Sequence, residues 1–147
     1  MTPREFADRF VALPLDDYVC LVHDPRPTNP YGRTYTVQYL GNVIGGRRVT
    51  YLNVEMALMK RVAQRTLEAG EPVWFGCDVG KMLRRDTGIW DAQLFDYAGV
   101  YDTAFTLNKA DRLVYRQTQM THAMLFTGTD LVDGTPRRWR VENSWGE

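Results

Sequence analysis

The chain predicts an α+β fold, and three stretches of its 147 residues carry that prediction. Residues 119–128 and 139–146 alternate as strands do, on either side of a turn at Asp133-Gly134-Thr135-Pro136. Residues 54–69 repeat apolar positions with a period near 3.6 and read as one amphipathic helix. Residues 72–77 form a short apolar run of strand length, expected to be covered on both faces.

The elements follow in order from the N-terminus. Thr2-Pro3-Arg4-Glu5 has capping-box spacing with proline at the first helical position, so a helix starts there. Phe6, Phe10 and Val11 form its apolar stripe, and Pro14 closes it. Residues 18–22 read as a short buried strand. Three prolines in residues 24–32 demand an irregular connection. Residues 33–43 alternate weakly, as strand or extended arm; glycines break the pattern at 41–46, and residues 47–52 are strand-like again. Asn53 is the expected N-cap of the helix over 54–69, with Glu55 in its positive first turn and Gly70 as its stop. From 78 to 109 no period holds, and this long excursion reads as loop with short helical turns. Residues 108–113 form a short helix before the hairpin.

Composition narrows the function classes. Eighteen basic and eighteen acidic residues cancel, so no global charge recruits nucleic acid or a membrane surface. With 44% apolar and 12% aromatic residues the chain reads as globular, long enough to bury a core of its own. No run of ~18 apolar residues offers a transmembrane helix. The charged start lacks the apolar stretch of a signal peptide. Cys20 and Cys77 lie in apolar strand-like runs and read as free buried thiols of a reducing compartment, which points to a cytoplasmic protein.

The hairpin holds the candidate chemistry. A turn centred near residues 131–134 places His122 roughly opposite Asn143. On the second strand Trp139, Val141, Asn143 and Trp145 share one parity, and the apolar members mark it as the buried face. A buried amide left unpaired costs ~1–3 kcal/mol, and His122 is the polar side chain that alternation offers. The expectation is an Asn143–His122 hydrogen bond under an aromatic cover. An imidazole held by an amide, with its other nitrogen free, is two thirds of a Cys-His-Asn unit. Histidine is also the side chain that ordinarily titrates nearest neutrality, as a general base must.

The wording sharpens this. Thr121-His122-Ala123-Met124 and Glu142-Asn143-Ser144-Trp145-Gly146 resemble the histidine and asparagine motifs of papain-like cysteine peptidases. Within that clan the chain is similar to the bleomycin hydrolase and aminopeptidase C family. The likeness extends to the run from Cys20 to Pro27 and to that from Pro72 to Lys81. The resemblance implies the strand-rich, barrel-like half of a papain-like fold at residues 53–147, preceded by family-specific elements at 1–52. It implies a cytoplasmic thiol aminopeptidase assembled as a homohexamer, acting on N-terminal peptide or amide bonds through an acyl-enzyme. In such a unit His122 draws the proton from a cysteine thiol, and Asn143 accepts from the imidazole and fixes its plane. Trp145 shields their bond or simply packs; the two are compatible. In the family a C-terminal tail carboxylate anchors the substrate's amino group.

No nucleophile motif is found in these 147 residues, and the sequence ends at Glu147, inside the family's glycine-rich run. The family's reactive cysteine opens a long helix, in a word that begins with glutamine and is followed by tryptophan. Cys77 follows Trp74-Phe75-Gly76, with nothing that sets it at a helix N-terminus, and reads as a wall of the substrate cleft. Asp78 is either a polar substrate contact or a solvated loop carboxylate. Cys20 and His23, three apart on a strand, face opposite sides and do not make a dyad. Arg47-Arg48, Lys81 with Arg84-Arg85, and Arg137, Arg138 and Arg140 either line a positive surface or are solvated faces. Two histidines far apart without paired cysteines give no metal site, and no phosphate loop or cofactor motif occurs. The expectation is a portion of an aminopeptidase that supplies base and orienter, inactive alone. The rivals are a peptidase-like interaction domain and, behind it, a nucleic-acid-binding module, against which zero net charge weighs.

Overall fold

A computed structural model describes residues 1–41 and 43–145. Asn42 of the expected strand at 33–43, and Gly146 of the second hairpin strand, lie outside the described residues.

Helix α1 (Pro3–Phe10) begins as its capping box dictates. The Thr2 hydroxyl accepts from the Glu5 amide at 3.2 Å, and the Glu5 carboxylate accepts from the Thr2 amide at 2.7 Å. Phe6 and Phe10 touch each other but remain exposed.

Strands β1 (Cys20–Val22), β2 (Thr34–Tyr35) and β3 (Tyr51–Asn53) form one small sheet in the order β1-β3-β2. β1 runs parallel to β3, and β2 antiparallel to it. The expected strands over 18–22, 33–43 and 47–52 shrink to these short pieces. Cys20 is exposed rather than buried.

Asn53 is not the cap of the following helix. It ends β3, is fully buried, and turns its amide onto the loop after β1. Its Oδ1 accepts from the Asp24 amide at 2.8 Å, while Nδ2 donates to the Asp24 and Asn29 carbonyls at 2.9 and 2.8 Å. The proline-rich loop offers backbone groups that no strand satisfies, so the buried amide goes to them. Helix α2 (Met56–Glu68) therefore starts later, with Glu55 at its cap, and Gly70 follows it in the left-handed region at φ 83°.

The central sheet has the order β4-β7-β8, wholly antiparallel, from β4 (Val73–Cys77), β7 (His122–Val132) and β8 (Thr135–Glu142). Helix α2 lies against β4 and β7. Among the described residues the sheet is open; no closed barrel forms. β4 alternates: Val73, Phe75 and Cys77 are half-buried, while Trp74 is 72% exposed, so one face only is covered. Phe75 stacks on Phe126 at 3.7 Å between centroids, and Phe126 meets Trp139 at 4.8 Å. Among the described residues the buried apolar side chains, Val54, Ala63, Val79 and Met124, make a thin core for this length. That corrects the expectation of a sizeable core of its own.

The excursion carries a hairpin that no period announced, β5 (Leu83–Arg84) with β6 (Ile89–Trp90), then the turn of helix α3 (Tyr97–Tyr101). Helix α4 (Lys109–Val114) is capped by Asn108, whose side chain accepts from the Asp111 amide at 3.0 Å. No helix among the described residues is long and apolar enough to cross a membrane.

Candidate active site

His122 opens β7, and the hairpin brings Asn143 back to it. The two-residue loop Asp133-Gly134, both residues at positive φ (50° and 73°), is the mirror-type turn that suits strand twist. It sets Val132 opposite Thr135 and, further along, Phe126 opposite Val141. That register lies two residues from the one expected: it aligns Asn143 with Met124 rather than His122. Parity is unchanged, so His122 and Asn143 share a face and meet as diagonal neighbours. His122 Nε2 and Asn143 Oδ1 are 2.9 Å apart.

Asn143 lies just past the end of β8 and is exposed, not buried among tryptophans as expected. Its orientation comes from a second bond: Oδ1 also accepts the Ser144 amide at 2.8 Å. An oxygen that accepts from a backbone N–H has no proton to give, so the imidazole donates through Nε2. The neutral ring then carries its lone pair on Nδ1, which has no hydrogen-bond partner among the described residues. Trp145 stacks on His122 with centroids 4.6 Å apart and planes 24° from parallel. At 45% exposure Trp145 is a cover rather than a core residue. The Arg85 guanidinium sits over the Trp145 ring, 4.6 Å from its centroid. Arg85 comes from the excursion just after β5, and no sequence signal tied it to the site.

Cys77 is the direct cross-strand partner of His122, so both side chains leave the sheet on one face. Burial, then the adjacent Asp78 carboxylate, pushes its thiol up to about 11. A thiol so placed is a poor thiolate, in keeping with its reading as a wall. Asp78 is neither solvated nor open: its side chain is 14% exposed. Oδ2 accepts from Lys81 Nζ at 2.6 Å and from the Thr118 hydroxyl at 2.7 Å. Burial raises its pKa, but those two bonds prevail and hold it below the usual carboxylate range.

His23 stands apart from Cys20. Lys109 Nζ lies 2.8 Å from its Nδ1 and the Tyr31 hydroxyl 3.2 Å from its Nε2. Four of these eight basic residues have acidic partners: Arg47 with Asp16, Lys81 with Asp78, Arg84 with Asp86 and Arg138 with Asp130.

The Peptidase C1-like family model matches residues 1–147, and the chain belongs to that family. Among its relatives is aminopeptidase C of Lactococcus lactis subsp. cremoris, 46% identical over 147 residues, which cover 99% of this chain and 34% of the relative. Another is bleomycin hydrolase of Homo sapiens, 43% identical over 153 residues, covering 100% of this chain and 34% of the relative. The crystal structure of PepW from Lactobacillus rhamnosis HN001 superposes with a TM-score of 0.95 at 48% identity, over 100% of this chain and 33% of that one. The α+β fold is thus that of a papain-like peptidase portion. The chain spans about a third of the length of the curated relatives it matches.

Proposed function

We propose that this chain supplies the general base and its orienter to a cysteine aminopeptidase of the bleomycin hydrolase type. The observation that carries the reading is the His122–Asn143 bond, which leaves Nδ1 as the free basic atom. Nδ1 takes the proton of a cysteine thiol borne by polypeptide outside these residues, giving a thiolate–imidazolium pair. The thiolate attacks the substrate carbonyl, the imidazolium returns the proton to the leaving amine, and water, activated by the same nitrogen, releases the acyl group. Asn143 keeps the ring in the Nε2–H tautomer, and Trp145 keeps water off the bond. Donors beside that cysteine stabilise the oxyanion, and Cys77 stands as a wall of the cleft beside the base.

Family membership also supports a cytoplasmic homo-oligomer, hexameric in assembly, with residues 1–52 as family-specific additions to the half built from residues 53–147. Its substrates are peptides or amides with a free N-terminus, held by a C-terminal carboxylate of the whole protein. Nucleic-acid binding is less favoured, because the net charge is zero and no recognition motif occurs.

Hydrolysis of an aminoacyl amide tests the reading. The 147 residues alone are expected to show no turnover, and the protein joined to a segment with the glutamine–cysteine–tryptophan motif should turn over and lose activity in His122→Ala. A joined protein with full activity in His122→Ala rejects the base assignment. No turnover in any assembly favours a peptidase-like interaction domain.

A further inference from the structure

We propose that Asp78, acting through Thr118, is a positioning residue that fixes His122 at the start of β7. The inference rests on reading His122 as the base, and its test observes the imidazole itself. Strand ends fray, yet a base must be held within about half an ångström of its working position. His122 is the first residue of β7 and pairs with β4 alone, through Cys77, so contacts beyond the ladder must help to hold it.

The segment leaving β4 does so with bonds on both sides of Asp78. The Thr121 amide donates to the Cys77 carbonyl at 2.9 Å, and the Val79 amide donates to the Thr121 hydroxyl at 3.3 Å. Between them the Thr118 hydroxyl donates to Asp78 Oδ2 at 2.7 Å. Thr118 is one of the buried polar side chains, and its amide reaches back to the Arg112 carbonyl of α4 at 3.2 Å. Asp78, the residue after Cys77, therefore ties the exit of β4 to Thr118, four residues before His122 on the approach to β7. A carboxylate whose Oδ2 already takes Lys81 and Thr118 is built to hold chain rather than to meet substrate, and its lowered pKa keeps it charged for that task.

The chain has two histidines, so its imidazole resonances are few, and His23, held by Tyr31 and Lys109, is an internal control. Long-range nitrogen–proton spectra of the full chain should show His122 as the Nε2–H tautomer, displaced by the Trp145 ring current. In Thr118→Val the tautomer signature should become a mixture and the displacement should be lost, with His23 unmoved. Thr118→Ser, which keeps the hydroxyl, should restore both. Lys81→Met, which breaks only the ion pair, should leave His122 as it was. His122 spectra in Thr118→Val that match those in Thr118→Ser overturn the proposal. Should Thr118→Val not fold, Thr118→Ala and Asp78→Ala give the same comparison with the same two outcomes. Because no turnover is measured, the base reading can fail in the amide assay without touching this result, and the reverse.

Discussion

His122 Nε2 lies 2.9 Å from Asn143 Oδ1, and that oxygen also holds the Ser144 amide. The two bonds together leave the amide one orientation and the imidazole one tautomer. Asn143→Ala in the active protein should lower kcat by about 10²-fold, since a misoriented base forfeits much of general-base catalysis. The pair is exposed, so stability should change by less than ~1 kcal/mol. Parallel amide-hydrolysis and thermal-melt measurements check this; an unchanged rate removes Asn143 from the orienting role.

The Cys77 thiol, raised to about 11, should be slow toward electrophiles at neutral pH. In a Cys20→Ala chain, alkylation of the remaining thiol at pH 7 should run about 10²-fold slower than that of free cysteine. The rate should climb through pH 9–11 instead of levelling. Fast alkylation at pH 7 would restore Cys77 as a nucleophile.

Asn53 satisfies three backbone groups of the loop at 24–29 from a fully buried position. Asn53→Ala leaves them unpaired and should cost about 2–3 kcal/mol. Urea unfolding of the variant beside the parent measures it, and a loss below ~1 kcal/mol would mean that water replaces the amide.

Asp24 carries the acid-sensitive part of the same loop. The Arg26 guanidinium, against the cost of burial, holds its carboxyl from the ordinary 3.8 down to about 2. The folded value lies below the unfolded one, so this stabilisation is complete above about pH 4 and is lost as pH falls toward 2. With Arg26 partly solvated, the contribution is ~1–2 kcal/mol. The stability gap between the parent and Asp24→Asn should therefore narrow between pH 5 and pH 2. A gap constant over that range assigns the loss to shape instead of charge.

The Thr127 hydroxyl is buried without a hydrogen-bond partner among the described residues. Thr127→Val keeps the shape and removes the stranded group, and should stabilise the chain by about 1 kcal/mol. A lower melting temperature for this variant would show that the hydroxyl is satisfied by water.

Much of this was legible in the residues because local rules set it. Thr2 and Glu5 fix the start of α1, Asn108 fixes that of α4, and the period of residues 54–69 fixes α2. The shared face of His122 and Asn143 followed from parity alone, which survives a two-residue error in register. What escaped depends on distant partners. Asn53 has the residue type of a cap, but a loop some thirty residues earlier claims its side chain. β5 and β6 have two residues each, too few to display a period. Arg85 reaches Trp145 through that hairpin, so its place at the site had no signature. Asn143 read as buried because its neighbours on that parity are apolar, yet the strand stops one residue before it.

The β7–β8 hairpin carries one bulge on each strand, and the two offset each other so that the strands finish in step. Thr127 is unpaired on β7 between the Phe126–Val141 and Gly128–Arg140 pairs, and Arg137 is unpaired on β8 between Asp130–Arg138 and Leu131–Pro136. Each is one residue of slack in a structure whose chemistry depends on parity. A lineage that lost Thr127 or Arg137 would straighten a bulge and keep His122 on the face of Asn143. A residue gained where the ladder is already regular would turn the imidazole to the other side of the sheet. Length variation along this hairpin should therefore concentrate at those two positions, whereas substitutions can spread over both strands.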